Sequence, residues 1–168
     1  MARAMRDLDG WNPAHMDLAL SEANRCLTWG DVPVGAVVAR GDELLSAAGN
    51  QRERLGDPTA HAEILALRAA AQRVGLWRLD GCTIYVTLEP CAMCAGALVL
   101  ARVDRLVFAT ADPKAGFAGS LGDLVRDPRL NHQVKVVAGV GEQEAGDLLR
   151  AFFVGRRSPV EPRRNAAP

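Results

Sequence analysis

The sequence predicts one α/β domain, a three-layer α/β/α sandwich built on a central mixed five-stranded sheet. Short apolar runs of strand length alternate with amphipathic helical patterns, in the order α-β-β-α-β-α-β-(α)-β-α. Such alternation is typical of a sheet covered by helices on both faces. The 168 residues suffice for one domain with its own core. We expect that domain to span residues 1–157, with 158–168 as a disordered tail rich in Pro and Arg.

The first elements are a helix and a hairpin. Asn12-Pro13 is typical of an N-cap followed by proline at the first helical position, and Gly30 is expected to end this helix. Arg40-Gly41-Asp42-Glu43 predicts a turn between two antiparallel strands, residues 34–39 and 44–48.

The later elements alternate between helix and strand. Asp57-Pro58-Thr59 is expected to start the second helix, which stops near Gly75. The later strands are residues 82–88, 105–109 and 133–138. The later helices are residues 90–101 and 142–156, and a short one is expected over 121–125 within the irregular stretch 110–132. The strand-helix-strand units favour parallel neighbours joined by right-handed crossovers.

Composition and charge exclude several classes of protein. Twenty basic residues balance twenty acidic ones, which argues against coating nucleic acid by bulk charge but permits a local basic surface. No apolar run approaches the roughly 20 residues that span a bilayer, so no membrane contact is expected. The segment Met1–Asp7 lacks the apolar stretch of a signal peptide, and we therefore expect a cytoplasmic protein.

Two short motifs carry the chemistry. His61-Ala62-Glu63 precedes Pro90-Cys91-Ala92-Met93-Cys94, and together they supply an imidazole, two thiolates and a carboxylate. Cys91 and Cys94 lie three apart at a predicted helix start, so both sulfurs share one face, and the positive end of the helix favours thiolate. We expect His61, Cys91 and Cys94 to hold one Zn²⁺ per subunit, with water or hydroxide as the fourth ligand, as in catalytic zinc sites.

Glu63 is the expected catalytic residue. Side chains two apart on a regular helix diverge by about 200°, so we place His61 at the helix edge and Glu63 one step inside. There Glu63 would face the water without binding the metal, take its proton, and return protons to a ring nitrogen and a departing amine.

The alternatives to a catalytic site are a closed structural zinc site, a redox pair or no metal. A structural site needs a fourth protein ligand. Cys82 would lie roughly 20 Å away, at the far end of its strand, whereas Cys26 and His132 stay open as candidates. Cys26 and Cys82 are otherwise expected to be small buried hydrophobes.

His-x-Glu followed by Pro-Cys-x-x-Cys resembles the signature of the zinc-dependent nucleoside and base deaminases, of which the bacterial tRNA adenosine deaminases are a standard example. The resemblance to this bacterial family runs from about Ala14 to Arg157. It rests on five segments of the chain: residues 32–37, 57–64, 85–97, Gly119-Ser120-Leu121 and Asn131-His132.

This resemblance implies a cytidine deaminase-like fold and a homodimer. It implies a hydrolase that acts on a C–N bond of a cyclic amidine and converts adenosine to inosine at the wobble position, position 34, of a tRNA anticodon, with an arginine tRNA as the expected substrate. It implies that Asn50 bonds the target nucleotide and that Val34 packs on the adenine. The remaining implied contacts to the anticodon stem-loop are Asp112, Lys114, Asn131, Phe153 and Arg157.

Most of the implied contacts also have a simpler interpretation from sequence alone. Asn50 and Asp112-Pro113 are typical turn residues, Asn131-His132 could end a loop, Phe152-Phe153 could be core, and the basic tail could be merely solvated. Two rival functions stand beside the main hypothesis. One is a free-base or nucleotide deaminase of the same fold, acting on guanine or cytosine. The other is a non-enzymatic zinc-stabilised RNA-binding subunit.

Overall fold

The computed structural model describes residues 10–156, and residues 1–9 and 157–168 lie outside that range. The expected tail and Arg157 therefore fall outside the described residues. The helices are α1 (Pro13–Arg25), α2 (Arg52–Leu55), α3 (Ala62–Val74), α4 (Ala92–Ala101) and α5 (Glu142–Arg156). The strands are β1 (Gly35–Arg40), β2 (Glu43–Gly49), β3 (Thr83–Leu88), β4 (Arg105–Thr110) and β5 (Lys135–Ala138).

The five strands form one mixed sheet in the order β2-β1-β3-β4-β5. The β1–β2 hairpin is antiparallel, as predicted, and β1 also pairs antiparallel with β3. The β3–β4 and β4–β5 pairs are parallel. Parallel strands end at the same edge of a sheet, so the residues that follow β3 and β4 meet there.

Helices cover both faces of the sheet, which confirms the predicted three-layer fold. Alternate strand residues point to opposite sides. Ala36, Val38, Ile84, Val86 and Leu106 belong to the core under α3 and α4. On the other face, α1 and α5 cover a smaller core, which contains Met16, Ala19, Val37, Tyr85, Val107 and Ala145. All of these side chains are buried.

The helix caps follow the sequence closely. The Asn12 side chain accepts a hydrogen bond from Ala14 N at 3.0 Å, and Pro13 occupies the first helical position. A 3₁₀ turn, Cys26–Trp29, extends α1 to Gly30, which adopts the left-handed conformation (φ 75°). Gly75 ends α3 in the same way (φ 72°).

Two predicted elements are wrong in detail. The second helix starts at Ala62, since the Asp57 side chain accepts from Thr59 N and Oγ1 and closes a turn; the short α2 precedes it. The expected helix over 121–125 is absent from the described chain. Its backbone donors bond to carbonyls of the preceding segment instead: Leu121 N donates to Gly116 O and Leu124 N to Phe117 O. No helix between residues 10 and 156 is both long and apolar enough to cross a membrane.

Candidate metal centre and active site

Two helix N-termini converge beside the carboxyl end of β3. His61 is the N-cap residue of α3 and Cys91 that of α4, both with extended backbone (φ −72°, ψ 149° and φ −70°, ψ 175°). Neither side chain caps its own helix by a hydrogen bond. Both are therefore free to face a common point, to which Cys94 contributes from the first turn of α4.

The three predicted metal ligands lie together. His61 Nδ1 lies 3.7 Å from Cys91 Sγ and 3.5 Å from Cys94 Sγ, and all three donor atoms are within 4.8 Å of one another. Zinc bonds of about 2.3 Å to sulfur and about 2.0 Å to nitrogen at a tetrahedral angle separate S and N donors by about 3.5 Å. The donor set is therefore compatible with tetrahedral zinc.

Neither open candidate for a fourth ligand reaches this cluster. Within residues 10–156, one group of three or more possible metal donors has its ligand atoms within 4.8 Å of one another, and it consists of His61, Cys91 and Cys94. Nε2 of His132 lies 2.8 Å from the Val103 carbonyl oxygen, and Cys26 Sγ donates to the Glu22 and Val34 carbonyls. Three protein donors leave one tetrahedral position for a small ligand, the arrangement of catalytic sites.

The pKa values of the two thiols shift in opposite directions. The hydrogen bond between Cys94 and Cys91 lowers the pKa of Cys91 to about 3, with a further contribution from His61. The same bond raises the pKa of Cys94, and burial adds to this effect. Cys91 therefore ionises more readily than Cys94. A cation that binds both sulfurs must displace any proton that Cys94 still carries, so metal affinity rises with pH.

Glu63 lies beside the ligands without joining them. It is 4% exposed, and it lines the same cleft as His61 and Cys91. Burial raises the pKa of this carboxyl to about 7, while the charge of His61 opposes the rise. A carboxyl poised near neutrality can both accept and return a proton, which is what a general acid–base residue requires.

A cleft of about 780 Å³ opens over these residues. It runs between the starts of α3 and α4, the segment after β4, and the face of α5 from Gly146 to Val154. Five of the predicted substrate contacts line it: Val34, Asn50, Asp112, Lys114 and Phe153. Asn131 does not line it; it is exposed, and its carbonyl accepts from Arg102 at 2.9 Å.

Hydrogen bonds to neighbouring groups hold two polar residues of the cleft, Asn50 and Asp112, in place. Asn50 is 5% exposed; its Nδ2 donates to Asp31 Oδ1 at 3.5 Å, and its backbone N–H donates to the Val34 carbonyl. Asp112 Oδ1 accepts from the backbone N–H groups of Lys114 and Ala115, so the turn interpretation holds for this carboxylate. Phe153 is 46% exposed, as a core residue would not be.

Several cleft residues were missed from the sequence. Arg52 and Arg150 are exposed at the rim, and no local pattern singles them out. Glu89 is also part of the cleft and is 2% exposed. The sequence signal that could have identified it is its position directly before Pro90-Cys91. Burial alone would raise the pKa of Glu89, but hydrogen bonds from Ser120, Asp112 and Ala118 lower it below its ordinary value.

Comparison with known proteins agrees with this geometry. The MafB19-like deaminase family matches residues 11–157. The chain is 48% identical over 139 residues to a tRNA-specific adenosine deaminase of Bacillus subtilis, covering 83% of this chain and 86% of that protein. It is 44% identical over 145 residues to the tRNA-specific adenosine deaminase of Aquifex aeolicus, covering 86% and 95%.

Solved structures of deaminases are also similar to this chain. A structure from a study of A-to-I editing by tRNA:A34 deaminases at the wobble position of transfer RNA superposes with a TM-score of 0.78 at 40% identity, covering 81% of this chain and 99% of that one. A guanine deaminase from Nitrosomonas europaea superposes with a TM-score of 0.73 at 25% identity, covering 84% of each chain.

Proposed function

This chain belongs to the tRNA-specific adenosine deaminase family, and from that premise we propose that it converts adenosine to inosine at position 34, the wobble position, of a tRNA anticodon. It is an enzyme, a deaminase that hydrolyses a C–N bond. The observation that carries the proposal is the cluster of His61, Cys91 and Cys94, with the buried Glu63 beside it at an open cleft.

We assign His61, Cys91 and Cys94 as ligands of one Zn²⁺ per chain. The S···N separations and the mixed nitrogen and thiolate donors fit zinc. When bound, zinc acts as a Lewis acid that makes water acidic enough to lose a proton near neutral pH.

Glu63 is the proton carrier of the proposed reaction. It takes a proton from the attacking water and delivers it to N1 of the adenine as the C6–O bond forms. It then takes the second proton from the same oxygen and gives it to the amino group as the C6–N6 bond breaks. The products are inosine and ammonia, and Glu63 returns to its starting state.

The cleft suits a base presented by RNA. Val34 and Leu88 offer apolar walls, and Phe153 is an exposed aromatic surface at the rim. Lys114 and Arg52 are exposed cations at the same opening. Unstacked loop bases of RNA are bound by stacking and edge hydrogen bonds, and their phosphates by such cations. We propose Asn50, Asp112, Asn131 and Arg157 as further contacts to the anticodon loop.

The domain limits, the oligomeric state, the location and the choice of tRNA belong to the same proposal. We propose that residues 1–157 form one deaminase domain, that the protein works as a homodimer in the cytoplasm, and that an arginine tRNA is its substrate. The family match over residues 11–157 supports the domain limits. Membership of the tRNA-specific adenosine deaminase family supports the homodimer, the cytoplasmic location and the arginine tRNA as substrate.

Glu63→Gln tests the mechanism. We expect the variant to fold and bind zinc like the unchanged protein, and to lose at least ~100-fold in kcat, because general acid–base catalysis contributes 10²–10⁴-fold. Inosine formation on an anticodon stem-loop is measured alongside zinc content. Glu43→Gln is the matched control, because Glu43 lies on β2 and its side chain is 60% exposed. Equal turnover in Glu63→Gln and the unchanged protein would exclude Glu63 as the proton carrier.

A free-base deaminase is the second candidate, because the guanine deaminase from Nitrosomonas europaea shares this fold at a TM-score of 0.73. The same assay with free guanine, cytosine and adenosine separates the two functions. Turnover of guanine or cytosine above that of the stem-loop would favour the free-base function, and turnover of the stem-loop alone the RNA function.

A further inference from the structure

We propose that Glu89 is a positioning residue of the cleft: its buried carboxylate anchors the segment 112–120, called here the cleft loop, and so holds Asp112 and Lys114 at the opening. The substrate those two residues contact rests on the function proposed above. Glu89 takes no part in the proton transfers assigned to Glu63.

The carboxylate of Glu89 joins both ends of the cleft loop. Oε2 accepts from Asp112 N at 2.9 Å and from the Ser120 hydroxyl. Oε1 accepts from Ala118 N and Ser120 N, each at 3.0 Å. A loop whose first and last residues bind one fixed, 2% exposed side chain has lost most of the freedom of a surface segment.

The backbone beside Glu89 continues the attachment. Phe117 N donates to the Pro90 carbonyl at 2.8 Å, and Cys91 forms an isolated antiparallel bridge with Gly116. A Cβ at Gly116 would lie only 2.3–2.6 Å from the Glu89 carboxyl group, so no larger residue fits there without displacing it. The cleft loop is thus seated on Glu89, Pro90 and Cys91.

Glu89 acts on the substrate through the loop. Its oxygens are taken up by four donors from the loop, whereas Asp112 and Lys114 line the opening. Asp112 in turn orders the Lys114 backbone, since its Oδ1 accepts from Lys114 N at 3.0 Å. Loss of the anchor should therefore loosen Lys114. The metal ligands should stay in place, because they have support besides the loop: His61 is the N-cap residue of α3, and Cys91 and Cys94 belong to the start of α4.

Limited trypsin digestion of Glu89→Gln tests the anchor without reference to the reaction. Lys114 is exposed and offers a cleavage site inside the loop. The amide of glutamine presents N–H groups to the donors of the loop, so we expect cleavage after Lys114, followed by peptide mapping, to be about 10-fold faster. An unchanged cleavage rate would overturn the proposal.

Asp104→Asn is the matched control. Asp104 is exposed and accepts from Gly81 N at 2.9 Å at the opposite end of β4, so it also anchors a neighbouring turn through a backbone N–H. Cleavage after Lys114 in this variant should match the unchanged protein. Equal acceleration in both variants would show a general loss of stability and would overturn the assignment to Glu89.

Kinetics of the zinc-loaded Glu89→Gln enzyme test the role in substrate positioning. We expect KM for an anticodon stem-loop to rise about 10-fold while kcat changes less than about 3-fold, because the loop contributes binding and not chemistry. Zinc content should be unchanged. A collapse of kcat with loss of zinc would show that Glu89 supports the metal site and would overturn the proposal. If no substrate is turned over even by the unchanged enzyme, the proposed function fails, whereas the proteolysis result still decides the anchor.

Two substitutions in the cleft loop test the same contact with the Glu89 carboxylate. Gly116→Ala places a methyl group against the Glu89 carboxylate and should reproduce the faster cleavage after Lys114. Ser120→Ala removes the hydroxyl donor alone and should accelerate cleavage in the same direction by a smaller factor. If Glu89→Gln does not fold, these two variants carry the test, and normal cleavage in both would overturn the proposal.

Discussion

At the scale of single residues, three buried acids lie in or beside the cleft, and their partners differ. Asp31 accepts from the backbone N–H groups of Glu53 and Arg54, and Glu89 accepts from the cleft loop. For Glu63, burial raises the pKa to about 7 and outweighs the opposing effect of a hydrogen bond to its own backbone. An ionised carboxylate is buried at low cost only when it is hydrogen-bonded. The first two acids therefore suit anchoring, and the third suits proton transfer.

His15 gives a prediction at this scale. It is 4% exposed, its ring packs edge-on against Tyr85 at 5.1 Å, and its Nδ1 has no hydrogen-bond partner. Burial lowers the pKa of His15, while the charge of Asp42 opposes the shift. The unfolded chain thus binds this proton more readily, and stability falls as the pH drops through the ordinary value near 6.5.

We expect His15→Phe to reduce that loss of stability between pH 7 and pH 5. Urea unfolding at several pH values measures it, with His132→Phe as a histidine control outside the core under α1. A pH dependence in His15→Phe identical to that of the unchanged protein would contradict the prediction.

At the scale of elements, β1 lies against α1 so closely that only glycine fits at the contact. A Cβ on Gly35 would meet the Ala19 carbonyl oxygen at 1.9 Å and the Ala23 nitrogen at 2.6 Å. Both obstacles are backbone atoms, which cannot rotate away. Val34, which directly precedes this strand, lines the wall of the cleft.

Gly35→Ala should therefore destabilise the protein by about 2–4 kcal/mol, because overpacking forces the helix and strand apart. Gly155→Ala is the matched control: it lies in α5 with open space around it, and alanine there should stabilise by up to about 1 kcal/mol. Chemical denaturation measures both. A difference below about 1 kcal/mol between the two variants would contradict the close packing.

At the scale of the whole molecule, the proposed metal site joins two helices that the chain places far apart. His61 belongs to the start of α3, and Cys91 and Cys94 to the start of α4. A ligand that binds the folded chain preferentially stabilises it by mass action. The cluster should therefore link folding to metal binding as well as to catalysis.

We expect removal of zinc by a chelator to lower the Tm, and restored zinc to raise it again, since the three donors are brought together only in the folded chain. Thermal unfolding with and without chelator measures the shift. Cys91→Ala, which removes one donor, should show a much smaller response. The same response in Cys91→Ala would place the stabilising ion elsewhere.

Much of the fold was predictable because the signals are local. The N-cap at Asn12, the glycine stops at Gly30 and Gly75, and the alternating strand patterns each act within a few residues. The spacing of the ligands also predicted the chemistry, since three nitrogen and sulfur donors with one nearby carboxylate suit few functions.

The failures occurred where other hydrogen bonds compete with those of the expected helices. The helix expected over 121–125 does not form, and Leu121, Leu124 and Val125 form hydrogen bonds with Gly116, Phe117 and Val134 instead. Asp57 prefers to close a turn by bonding Thr59, which delays α3 until Ala62. The hydrogen bond to Val134 is a contact outside the segment, whereas the Asp57–Thr59 hydrogen bond is local and competes with the expected helix start.

By itself, the sequence determined most of the elements and their caps and predicted the candidate metal donors, because these depend on residue type and short-range spacing. Only the tertiary structure decided the strand order, the meeting of His61 with Cys91 and Cys94, the wall that α5 adds to the cleft, and the attachment of the cleft loop to Glu89. Each of these is a contact between residues far apart in the chain, and packing of the whole core selects it.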